Sequence, residues 1–86
     1  MKRFTATIRA SQNVILKFSF THIYTIDGEC YFVTTVDRDI KLHSFYMKPV
    51  ANTWQIVQPG EKLPSWVLEI EHVLAIEIKK RKQLTI

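Results

Sequence analysis

The sequence predicts an α+β fold: a curved antiparallel meander of about five strands with one C-terminal helix packed on one face. Three observations lead there. Between Phe4 and Val57, apolar and polar residues alternate in short runs separated by Asn, Asp, Gly and Pro, which is the period of half-buried strands. From Leu63 to Lys82 the stretch LPSWVLEIEHVLAIEIKKRK changes to a helical period. The links between strands are short turns, whereas parallel strands need crossovers of a dozen residues or more. With 86 residues and 47% hydrophobic content, residues 1–86 make one domain. A chain of this size buries roughly 60 to 65% of its unfolded surface, enough to fold with a small margin.

The first strand, about 3–9, places Phe4, Ala6 and Ile8 on one side and Thr5, Thr7 and Arg9 on the other. Ser11, Gln12 and Asn13 then turn the chain. The second strand, about 14–26, has Leu16, Phe18, Phe20, Tyr24 and Ile26 on one side and Lys17, Ser19, Thr21 and Thr25 on the other. Asp27 and Gly28 suit a two-residue hairpin loop, because both accept positive φ. In that register Ile26 faces Glu29, Tyr24 faces Tyr31, His22 faces Val33 and Phe20 faces Thr35. The core face then carries Phe18, Phe20, His22, Tyr24, Ile26, Tyr31 and Val33.

The third strand, about 29–36, leads to a turn at Asp37, Arg38 and Asp39 and a fourth strand, about 40–48, in which Phe45 and Met47 alternate with Tyr46. Pro49 opposes a continuous central strand at that point. Ala51, Asn52 and Thr53 turn the chain into a short fifth strand, about 54–57, and Pro59 and Gly60 begin the loop to the helix.

The helix spans about 64–80, with Pro64 at a first position where an N–H would be unbonded anyway. Trp66, Val67, Ile70, Val73, Leu74 and Ile78 share a face, and Glu69, Glu71 and His72 point away from its centre. Trp66 and Ile70 are expected to anchor the helix on Phe18, Phe20 and Val33. Glu77 and Arg81 intrude on the apolar face. After Leu74 the chain therefore either rides off the sheet edge as helix or becomes an extended tail, and the helical reading is preferred, with Lys79 to Lys82 at the negative end of the dipole.

The formal charge of +4 resides in Lys79, Lys80, Arg81 and Lys82, since the other eight basic residues are matched by eight acidic ones. A neutral body with a basic tail differs from the basic face of a dedicated nucleic-acid domain. One cysteine, Cys30, forms no internal bridge. The start MKRFTATIRAS lacks the apolar stretch of a signal peptide, and no run approaches the roughly 18 residues of a membrane span. A cytoplasmic protein without membrane contact is expected.

No motif identifies an activity. His22 and His43 are expected on the core face on either side of Val33, roughly 10 Å apart and too far to share one ion. Cys30 has Glu29 beside it, which disfavours a thiolate, so a structural thiol is expected. Asp37 and Asp39 fall where aspartate makes local turn hydrogen bonds. Trp54, Trp66, Tyr24, Tyr31 and Tyr46 could stack on bases or sugars, but each lies at an apolar position, and aromatics of this kind more often build the core of a small domain. Two glycines, Gly28 and Gly60, make no phosphate loop.

The expectation is a non-catalytic protein-interaction module without cofactor or metal, homodimeric or with a protein partner. Its partner surface is expected on the second sheet face, at Ile23, Phe32, Val36, Leu42 and Tyr46, joined by Ile40 if the loop at Asp37 has three residues. The alternative is a weak nucleic-acid or acidic-surface binder using Lys79, Lys80, Arg81 and Lys82 together with Lys2, Arg3 and Arg9.

Overall fold

The computed structural model describes residues 2–11, 13–57 and 62–83. Five antiparallel strands form a curled meander in the order β1 (Arg3–Ser11), β2 (Val14–Thr25), β3 (Gly28–Val36), β4 (Leu42–Val50) and β5 (Thr53–Val57), followed by two helices, α1 (Ser65–Glu69) and α2 (Glu71–Gln83). The expected positions of Gln12 in the first turn and of Pro59 and Gly60 before the helix lie outside the described residues. Among the described residues no helix is long and apolar enough to cross a membrane.

Alternation sorts the sheet into two faces. Ile8, Leu16, Phe18, Phe20, Val33, Phe45, Met47 and Trp54 are buried on the helix side, where Val67, Ile70, Leu74, Ala75 and Ile78 close the core. Two buried polar groups sit on this side with their partners supplied. Thr35 donates from Oγ1 to the carbonyl of Lys17 at 2.9 Å. His43 Nε2 meets Oδ2 of Asp37 at 2.7 Å.

The β2–β3 hairpin departs from the expected register. Thr25 pairs with Gly28, Tyr24 with Glu29, His22 with Tyr31 and Phe20 with Val33, so Ile26 and Asp27 form the turn. The positive φ falls on Gly28 alone, at 123°. With Ile26 and Asp27 at the central positions, the left-handed conformation falls on the following residue, where glycine adopts it without steric cost. The slip is two residues, so every side chain keeps its face. Ile26 and Tyr24, expected in the core, are exposed.

The Asp37 turn is also longer than expected. Val36 pairs with Leu42, leaving Asp37 to Lys41 as the loop. Oδ1 of Asp37 accepts the N–H groups of Asp39 and Lys41, both at 2.9 Å, and the Ile40 N–H bonds the Asp37 carbonyl at 3.0 Å. Ile40 is thus not strand but a loop residue at φ 62°, a costly conformation for a β-branched side chain.

Pro49 is inside β4, paired with Trp54. It lies beyond Met47, the last β4 residue paired with β3, so it interrupts no ladder on that side. Ala51 and Asn52, at φ 49° and 69°, make the two-residue turn between Val50 and Thr53, the pattern of a primed hairpin turn.

The helix starts at Ser65, one residue after its expected start, with Pro64 extended as the preceding cap residue. It is not continuous: Ile70 breaks it at φ −101° and ψ 13°. Buried positions before the break are Val67 and Ile70, and after it Leu74, Ala75 and Ile78. At about 100° per residue, the buried stripe moves by roughly 60° across the break. That rotation brings Ala75 into the core and puts the intruding Glu77 and Arg81 on its flank. The chain stays helical to Gln83, past the expected end at Lys80, so the extended-tail alternative does not hold.

Candidate functional site

The antiparallel order brings the start of β1, the end of β2, the start of β3 and the start of β5 to one end of the helix-covered face, and α2 ends over them. Phe4 stacks on Phe20 with centroids 4.6 Å apart and planes at 4°, and meets the edge of Tyr31 at 5.9 Å. Tyr31 stands edge-on to Trp54 at 5.1 Å and stacks on His22 at 4.8 Å. His22 in turn lies 4.5 Å from Tyr24. Offset and edge-to-face contacts of this kind add to the stabilisation from burial. Burial raises the pKa of the Tyr31 phenol, so its hydroxyl stays neutral.

Cations cap this array. The guanidinium carbon of Arg81 is 4.7 Å from the Phe4 ring centroid, and Lys82 Nζ is 5.5 Å from that of Trp54, both within cation–π range. Lys82 also pairs with Oε1 of Glu29. That hydrogen bond lowers the Glu29 pKa and raises that of Lys82, so both are charged at neutral pH. Lys2 is tied down through its carbonyl, which accepts the N–H of His22 at 2.8 Å, while the Lys2 and Arg3 side chains are exposed.

The result is an open cleft of about 980 Å³. Lys2, just before β1, and Phe4 of β1 line it with His22 and Tyr24 of β2, Tyr31 of β3 and Arg81 and Lys82 of α2, while Arg3 and Ile23 border it from the other sheet face. Among the described residues, His22 Nε2 is the buried side-chain atom at the cleft without a hydrogen-bond partner, 3.4 Å from Glu29 Oε1. The arrangement sets cations beside flat rings.

The four basic residues expected to act together are divided. Arg81 and Lys82 reach the cleft, whereas Lys79 and Lys80 are exposed outside it, and Lys80 pairs with Glu77 at 3.6 Å. Arg9 is at the far end of β1, beside Ile15. Tyr24 was expected as an aromatic of the core face that could also stack, and nothing local in the sequence singles out Glu29. Their shared parity with the core residues was visible, but only the position of the α2 end makes them cleft residues.

The far sheet face carries no helix. One straight row across it is Arg3, Thr21, Phe32, Tyr46 and Val57, with the Phe32 and Tyr46 rings 5.1 Å apart. The next row is Thr5, Ser19, Thr34 and Ser44, all hydroxyls. This band separates Ile23, Phe32 and Tyr46 from Val36 and Leu42, so the five candidate partner residues form two groups. Ile40 joins neither row, being on the loop. Cys30, opposite Ile23, is a buried free thiol on this face.

His22 and His43 share the helix side but pair with Tyr31 and Thr35, four residues apart along β3 and so roughly 13 Å from one another along the strand direction alone. Trp66 stands edge-on to His43 at 5.4 Å and is half-buried. Asp37 and Asp39 belong to the loop as expected. Among the described residues no three His, Cys, Asp or Glu side chains converge as a metal site would require. No protein-family model, curated protein or solved structure matches the chain.

Proposed function

We propose that this domain is a non-catalytic binding module whose working surface is the basic aromatic cleft, and that its ligand is a polyanion. The observation that carries this reading is the convergence of Lys2, Arg81 and Lys82 on one cleft, with Glu29 as the opposing carboxylate and Arg3 bordering it from the other sheet face. Cations spread over a sheet edge and a helix end suit a ligand with several negative groups, and their attraction weakens as salt screens it. A single buried thiol with no bridge to maintain fits a reducing compartment such as the cytoplasm.

Inorganic polyphosphate tests charge alone, because it has no rings. At low salt it is expected to bind, and Lys2→Gln with Arg81→Gln is expected to weaken it about tenfold or more, at roughly 1 kcal/mol per charge-assisted contact. Lys79→Gln with Lys80→Gln, which removes the same charge outside the cleft, should do far less. Equal losses from the two pairs, or no binding at low salt, would overturn the reading.

A second reading is favoured by the exposed Tyr46 and Val57 beside Phe32 on the uncovered face: a protein partner or a second copy of the chain. Light scattering at micromolar concentration would then give about twice the 10.1 kDa chain mass. Tyr46→Lys should return the mass to that of the monomer.

A further inference from the structure

We infer that the polyanion is a single-stranded nucleic acid, one of whose bases stacks on Tyr24 while its phosphates meet Lys2 and Arg81. This inference rests on the anion-binding reading and adds the ligand's chemical class. Three features of the cleft support it.

The first is Tyr24 itself. It sits at the lip of the cleft with 77% of its surface exposed. An aromatic ring left in water has burial energy still to gain, and a base offers a flat apolar face of matching size.

The second is rigidity. Tyr24 is the penultimate residue of β2, next to a turn that Thr25 closes by donating from Oγ1 to the Gly28 carbonyl at 2.8 Å. The ring behind it is His22, whose side chain is only 10% exposed and which is itself stacked on Tyr31. A ring braced in this way loses little conformational freedom when a base stacks on it.

The third is the arrangement of charge. The cations Lys2 and Arg81 lie before β1 and on α2, whereas the exposed ring, Tyr24, is on β2, so backbone and base are met by different segments, as in grooves that bind single strands. A duplex keeps its base faces stacked inside and offers Tyr24 only edges and phosphates. A free mononucleotide would call for a more enclosed pocket with fixed polar groups aimed at it, whereas this cleft is open and its cations are on long side chains.

The test uses the full chain and four probes at low salt: oligo(dT), an abasic deoxyribose-phosphate strand of equal length, inorganic polyphosphate and poly-glutamate. Oligo(dT) is expected to bind at least about fivefold more tightly than the abasic strand, the effect of one stacked base. Tyr24→Leu should abolish that difference and leave polyphosphate binding unchanged. Because Tyr24 is exposed, the variant folds, and circular dichroism checks this. Equal binding of oligo(dT) and the abasic strand, or poly-glutamate binding as tight as oligo(dT), would overturn the nucleic-acid inference while leaving the anion reading standing. Failure of all four probes to bind would remove both.

Discussion

Glu71, in the first turn of α2, accepts the main-chain N–H of Ile56 through Oε2 at 2.8 Å. β5 is an edge strand, bonded only to β4, and an edge presents unpaired N–H groups that template unwanted pairing. The helix thus supplies the acceptor that a sixth strand would otherwise supply, which couples helix docking to the sheet edge.

Glu71→Ala is therefore expected to cost about 1 to 2 kcal/mol in chemical denaturation, as a part-buried bond to a charged acceptor. Glu71→Gln keeps a carbonyl oxygen in place and should retain most of that stability. Equal losses from both would mean that the carboxylate makes no such bond in solution.

Val67, Leu74 and Ile78 are fully buried, whereas Trp66 is half-buried at the margin. Leu74→Ala and Ile78→Ala should each cost about 2 to 5 kcal/mol. Trp66→Ala should cost less than either, because part of its surface is already in water. The reverse order would indicate that Trp66, not the α2 stripe, anchors the helices.

The Asp37 carboxylate makes three hydrogen bonds, and its pKa is lowered, first by the bond to His43 and then by the Lys41 and Asp39 N–H groups. A carboxyl with a depressed folded-state pKa contributes stability above its unfolded value of about 3.9 and loses it as pH falls through the folded value. Stability measured from pH 6 downwards should show this acid limb. In Asp37→Asn the limb should shrink and the neutral-pH stability should fall. An unchanged acid limb would remove Asp37 as its source.

Two turns carry avoidable backbone strain. Ile40 has φ 62° and is 86% exposed, so its side chain contributes little packing to offset the conformation. Ile40→Gly should stabilise the protein by up to about 1 kcal/mol, because relief of the left-handed strain outweighs the extra freedom of glycine in the unfolded chain. Replacing Ala51 and Asn52 by Asn and Gly, the pair that suits a primed turn, should act in the same direction. A lower denaturation midpoint in both variants would show that these residues make contacts that matter more than φ.

The residues alone determined a great deal of this protein. Period-two alternation in β1 to β5 assigned nearly every side chain to its face, and the turn residues Asp37 and Asn52 marked where the chain reverses. The order of strands followed from their short links. These features are local: each depends on the chemistry of a few adjacent residues, and a register slip of two leaves them intact, as the β2–β3 hairpin shows. What the tertiary structure decided is non-local. The break at Ile70 rotates the buried stripe because two segments must pack on one curled sheet, and no window of sequence encodes that compromise. The division of Lys79 to Lys82 between solvent and cleft depends on where α2 ends above Phe4 and Trp54, more than twenty residues away in the chain. The hydroxyl row from Thr5 to Ser44 exists only because three registers line up, so a patch that reads as continuous along each strand is divided across the sheet.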